Sequence, residues 1–287
     1  MQIPTWVVVV LCVLAIAVVC VGVMPPSVGE TDVDVDVDVV ATAATTISTT
    51  TTTTTVPTTV PTGPTLSGSD DPADPVFVPP EPIEGACTYY DDAAFLGDSV
   101  SDGLRICAQS GYIGHPLFLT RASYSVSHAV RGSMLVRYQG EEMAPEDALA
   151  QAGVRKVFIM FGTNDIAAYG LTKTMENWAK LLENIRAKCP DIQIFIQSCT
   201  PIFKQGEVGA LNNQRMDEYN VLLEEFAAQN SCHFVEIGAY MKDGYGGMAE
   251  CYTSDRYVHL NATGGVVWMN LLRAYAQAAS EAEQAVA

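Results

Sequence analysis

The sequence predicts an α/β protein, a parallel sheet covered by helices on both faces. Three observations carry that expectation. Five short apolar runs recur along the C-terminal two-thirds of the 287-residue chain. Amphipathic stretches of helical period separate them. Two of the runs end in small, turn-prone residues, Gly97-Asp98-Ser99 and Gly162-Thr163-Asn164-Asp165. Strands that alternate with helices join through crossovers, which bury a parallel sheet on both sides.

In order, the strands are expected at 93–96, 117–120, 157–161, 192–197 and 234–237. The helices are expected at 101–109, 126–137, 145–151, 171–188, 212–229 and 263–279. Pro145 suits the first turn of its helix, where its missing N–H has no intrahelical partner to lose. Gly153 suits the end of that helix, and Pro190 follows the helix that closes at Lys188.

The first 85 residues are of another kind. Val7 to Val23 is almost continuously apolar, and Pro25-Pro26 ends it. A run of roughly 20 such residues is long enough to cross a bilayer as a helix. No Lys or Arg precedes it, and it exceeds the usual core of a signal peptide, so residues 1–24 are expected to be an uncleaved anchor, with a cleaved signal sequence as the alternative. The alternating Asp-Val of residues 32–38 reads as a solvated, self-repelling segment, and the Thr/Pro-rich stretch 45–64 cannot bury a core. Residues 25–85 are therefore expected to be a disordered acidic stalk and residues 86–287 the folded domain, held on the extracellular face of the membrane or secreted.

The formal charge is −18, and residues 1–85 contribute ten acids and no base to it. An acidic domain on an acidic stalk argues against nucleic acid or anionic lipid headgroups as partners. No residues have metal-ligand spacing and no phosphate-binding loop occurs, so no cofactor is expected. Six of the eight cysteines fall in the domain, an even number for an oxidising compartment. Cys189–Cys232, Cys87–Cys107 and Cys199–Cys251 are the pairs expected, one of fifteen connectivities.

Three segments carry the chemistry: Gly97-Asp98-Ser99-Val100-Ser101-Asp102-Gly103-Leu104, then Gly162-Thr163-Asn164-Asp165, then Ser254-Asp255-Arg256-Tyr257-Val258-His259. In this order they resemble the SGNH/GDSL hydrolase family, and the likeness runs from about Ala86 to Ala279. The resemblance implies a flavodoxin-like, three-layer α/β/α sandwich with strand order 2-1-3-4-5. In such sheets ligands bind at the carboxyl ends of strands beside the switch point. Ser99 follows strand 1, Ser123 follows strand 2 and Asn164 follows strand 3, so that order would gather them.

The resemblance further implies ester hydrolysis through an acyl-serine. Ser99 is expected as nucleophile and His259 as base. His115 and His233 belong to the opposite end of the sheet, which leaves His128 as the competitor. The family places an Asp three residues before the histidine, where this chain has Arg256; Asp255 lies four before. Either Asp255 orients His259, or a backbone carbonyl holds the ring in a Ser-His dyad. The oxyanion hole is expected from the Ser99 N–H, the Asn164 carboxamide and a third N–H after strand 2. The family has glycine at that third position; here Ser123 matches best, with Ser125 next. Asp165 is expected to brace its turn.

The expected substrate is an acylated carbohydrate, with O-acetyl on extracellular or cell-wall glycan first. Residues 202–213 are expected to shape the cleft, with Tyr169 and Trp178 as candidate sugar-facing aromatics. The alternatives are an O-acyltransferase or lipid esterase with the same site, and a tethered glycan-binding module without catalysis.

Overall fold

Five strands pair side by side because each is apolar on both faces. The structure, a computed structural model, describes residues 65–286; the expected anchor and most of the expected stalk lie outside them. In chain order the strands are β1 (Thr65–Leu66), β2 (Phe77–Val78), β3 (Ala93–Gly97), β4 (Leu117–Thr120), β5 (Val136–Tyr138), β6 (Glu141–Met143), β7 (Lys156–Met160), β8 (Gln193–Gln197) and β9 (His233–Val235). The helices are α1 (Ser99–Ala108), α2 (Val126–Arg131), α3 (Pro145–Ala152), α4 (Ile166–Lys188), α5 (Asn213–Gln229) and α6 (Ala262–Val286). The central sheet runs β4-β3-β7-β8-β9, all neighbours parallel. Read as the first to fifth core strands, this is 2-1-3-4-5.

Register builds the core. Phe118, Phe95, Phe158, Phe195 and His233 face one another across five strands, with ring centroids 5.2, 5.1, 4.3 and 4.6 Å apart in turn. Because side chains alternate along a strand, this ladder lines one face. Tyr275 of α6 packs edge-on to Phe195, so α6, with α1 beside it, covers that face. On the other side, α4 packs against α2, α3 and α5.

Two expected elements changed. The helix expected at 126–137 stops at Arg131, because Gly132 takes a left-handed φ of 62° and caps it. The following residues form the β5–β6 hairpin, turned by Gln139 and Gly140, both at positive φ. Val126, Val130 and Met134, four residues apart, mimic a helical stripe, which hid the strand. Helix α4 starts at Ile166 rather than Leu171, and non-helical Gly170 kinks it one residue before the expected start.

The part of the expected stalk that lies among the described residues is ordered, which corrects the expectation of disorder there. Residues 65–85 form a strap: Gly244 N–H donates to Pro72 O (2.8 Å), Phe77 packs on Tyr240, and Asn270 donates to Pro80 O (3.0 Å). Arg273, only 4% exposed, donates to the carbonyls of Ile83, Glu84 and Gly85 and stacks on Tyr112. Composition marks this segment as stalk because backbone carbonyls that solvate a buried guanidinium leave no trace in side-chain type.

The expected disulfides are absent: the six cysteines among the described residues are free thiols. Each packs toward a different neighbour. Cys199 Sγ lies 3.1 Å from Phe161 O, Cys232 Sγ 3.6 Å from Arg186 Nη2, and Cys107 fills the space beside Gly265. The cysteine count therefore lends no support to an oxidising compartment. Among the described residues no helix is long and apolar enough to cross a membrane.

Candidate active site

Ser99 stands where β3 passes into α1. A side chain at Gly97 would collide with Ser101 and come within 2.8 Å of Met160 O, so glycine lets the turn close against β7. Asp98 is the N-cap; its Oδ1 accepts from Val100 N–H at 2.9 Å, and the helix begins at Ser99. This leaves the half-buried Ser99 hydroxyl at the carboxyl end of the sheet.

His259 arrives from the loop before α6. Thr253 bridges Leu260, and Ser254 N–H donates to His259 O at 2.9 Å, which closes the loop on itself. Inside it, Asp255 Oδ1 accepts from Tyr257 N–H (2.8 Å) and His259 N–H (3.2 Å). Asp255 Oδ2 lies 2.6 Å from His259 Nδ1, and His259 Nε2 lies 2.9 Å from Ser99 Oγ. A carboxylate can only accept, so the network assigns the ring proton to Nδ1 and leaves Nε2 to accept from the serine hydroxyl. The additional residue between acid and histidine is absorbed by Arg256, whose φ of 55° is left-handed. The Arg256 guanidinium turns away to pair with Glu250 and stack on Phe203. Burial raises the Asp255 pKa, but hydrogen bonds from the His259 ring and from the Tyr257 and His259 N–H groups outweigh it and hold the carboxyl below its usual range.

Asn164 sits in the turn after β7, which Asp165 N–H and Ile166 N–H close on Gly162 O at 2.9 Å each. Its Nδ2 donates to Asp98 Oδ2 (2.8 Å) and Tyr124 O (3.1 Å). Ser123, after β4, has φ 57°, the left-handed conformation a glycine takes freely, and its N–H has no partner among the described residues. Ser125 is instead the buried N-cap of α2, accepting from His128 N–H.

Asp165 reaches beyond its own turn. Its carboxylate accepts from Val126 N–H (3.1 Å) and Ser127 N–H (3.2 Å), tying the loop after β4 to the loop after β7. Asp98 and Asp165 are 2% and 0% exposed, and burial pushes each pKa up to about 6 against the hydrogen bonds they accept. Asp98's bond to Asn164 could not be read from the sequence. Its only signal was an acid next to the serine at a strand end.

Other expected residues lie elsewhere. His128 sits on α2 with no bond to Ser99 among the described residues. Trp178 is fully buried and donates to Tyr219 Oη at 2.6 Å, which makes it core rather than sugar surface. Tyr169 lies under Arg131. Residues 202–213 do adjoin the site loop: Phe203 N–H donates to Tyr257 O at 2.8 Å.

A hydroxyl bonded to an imidazole that is bonded to a carboxylate can shuttle a proton, and the carboxamide beside it can stabilise a negative oxygen. The GDSL-like lipase/acylhydrolase family profile matches residues 95–265. The chain belongs to that family. GDSL-type membership makes the protein a carboxylic ester hydrolase. Similar solved structures include a GDSL-like lipase from Bacteroides thetaiotaomicron (20% identity, TM-score 0.52, covering 66% of this chain and 88% of that one). A protein assigned as an acylhydrolase from Bacteroides fragilis is similar at 21% identity and TM-score 0.51, covering 66% and 86%. These likenesses show the shared fold. No curated protein matches the sequence.

Proposed function

We propose that this GDSL-type hydrolase works through an acyl-Ser99 intermediate and removes O-acetyl or other short acyl groups from extracellular or cell-wall glycans. The observation that carries the mechanism is the unbroken hydrogen-bonded line from Asp255 through His259 to Ser99, at 2.6 and 2.9 Å. Ser99 Oγ attacks the ester carbonyl carbon as its proton passes to His259 Nε2. The carbonyl π pair moves onto oxygen, where the N–H groups of Ser99 and Ser123 and the Asn164 carboxamide receive it. Collapse breaks the bond to the leaving alkoxide, which takes the proton from His259. Water, deprotonated in turn by His259, then releases the acid and regenerates Ser99. Asp255 stays ionised throughout, fixing the ring and stabilising the imidazolium.

Support for the substrate class comes from the sequence: an apolar N-terminal run and a Thr/Pro-rich stalk fit a domain displayed outside the membrane, near glycan. The test of mechanism is labelling by a fluorophosphonate probe together with hydrolysis of p-nitrophenyl acetate. Wild type is expected to do both and Ser99→Ala neither; wild-type rates in Ser99→Ala would remove Ser99 from the reaction. Acetylated glycans then test the substrate. Free acetate supports hydrolysis, acetyl moved to a second glycan makes the protein a transferase, and release only from lipid esters overturns the glycan reading. Protease shaving of intact cells tests display; a domain protected until lysis overturns it.

A further inference from the structure

We propose that Asp98 is the positioning residue of the oxyanion hole, its carboxylate gripping the Asn164 carboxamide with one oxygen while the other starts the helix that carries Ser99. The proposal rests on the acyl-Ser99 reading above. Its basis is the fork at Asp98: Oδ1 to Val100 N–H at 2.9 Å, Oδ2 to Asn164 Nδ2 at 2.8 Å. One side chain thus ties together two groups 65 positions apart whose spacing the oxyanion must match.

A carboxamide has two N–H protons, and both are held at rest, one by Asp98 and one by Tyr124 O at 3.1 Å. A developing oxyanion must displace one of them. Hydrogen bonds to a charged acceptor are roughly twice as strong as neutral ones. The longer bond to the neutral Tyr124 carbonyl is therefore the one exchanged for substrate, and Asp98 keeps the amide from rotating away meanwhile. Capping alone does not call for this residue. Asn or Ser caps a helix as well as Asp does, and a carboxylate 2% exposed carries a desolvation cost that neither would. The second oxygen's task is the Asn164 bond.

The test is a double-mutant cycle on the purified full chain with p-nitrophenyl acetate. Asp98→Asn keeps size and cap and removes a buried charge. Its single carbonyl oxygen can serve Val100 or Asn164 but not both. Asp98→Ser caps and is too short to reach Asn164. Each is expected to lower kcat about 10–100-fold, less than the roughly 10²–10³ for outright loss of one oxyanion donor because Asn164 is loosened and not removed, with KM changed less than about 2-fold. In an Asn164→Ala background the same changes should cost less than about 2-fold, since the group they act through is gone. An unchanged kcat, or equal losses in both backgrounds, overturns the proposal. If neither variant stays folded, the wild-type Asn164 side-chain amide decides by NMR. One of its protons, assigned by absence in Asn164→Ala, should resonate far downfield as expected against a carboxylate, and an ordinary amide shift overturns the proposal. Fluorophosphonate labelling on the same samples separates the two readings. A wild type that is not labelled overturns the acyl-Ser99 reading and this one with it; labelling with additive losses overturns this one alone.

Discussion

Asp255 and His259 are four residues apart where the family spacing is three, and the left-handed Arg256 between them takes up the difference. The two loop N–H bonds that Asp255 accepts suit it to hold the ring. Asp255→Asn is expected to lower kcat by about 10²–10⁴ with little change in KM, measured on p-nitrophenyl acetate. Asn164→Ala is expected to cost about 10²–10³ in kcat. Asp98 also makes a stability prediction. Its folded pKa of about 6 lies above the unfolded value of 3.8, so the native state binds that proton more tightly. The associated stability is fully present below about pH 4 and is lost as pH rises through about 6. Relative to wild type, Asp98→Asn should therefore gain up to about 3 kcal/mol between pH 4 and pH 8 in chemical denaturation, set against a pH-independent cost for the hydrogen bond that its single carbonyl oxygen gives up. A variant slower in catalysis and relatively firmer at high pH is the trade expected where a site holds a buried charge.

At the scale of elements, the turn after β7 depends on Gly162. A Cβ there would collide with Tyr219 and stand 2.8 Å from Cys199 Sγ, both buried. Gly162→Ala must push the turn, and Asn164 with it, away from Asp98. The expected result is a loss of kcat approaching that of Asn164→Ala, accompanied by a lower Tm; activity at wild-type level would show that the turn can shift freely. The five core strands and most helices were legible, because apolar runs and caps such as Pro145 and Gly153 are local signals. The β5–β6 hairpin was not, since Gln139-Gly140 is a turn only once its strands pair. Trp178 reads equally well as core or as surface until Tyr219 meets its Nε1.

Across the whole molecule, the strap links the start of the described chain to α6 and to the segment around residues 239–244 that leads toward the site loop. A chain beginning at residue 86 would lose three carbonyl acceptors for Arg273, whose guanidinium would keep Tyr112 O and turn to water where the strap had covered it. The expected cost is about 1.5–3 kcal/mol, read as a lower denaturation midpoint. Free thiols make a further test. Reductant should leave the Tm unchanged, and a fall of several degrees would mean that a disulfide supports the fold.

Local chemistry written along the chain determined the alternation of strand and helix and the serine at a strand end, because periodicity, capping and a short motif are properties of neighbours. Tertiary structure alone decided that Asp255 reaches His259, that Asp98 grips Asn164, that Arg273 gathers the strap and that the cysteines stay apart. Each of those is a meeting in space between side chains or carbonyls, and the energy of burial and hydrogen bonding that fixes such meetings exists only once the sheet has brought the partners together.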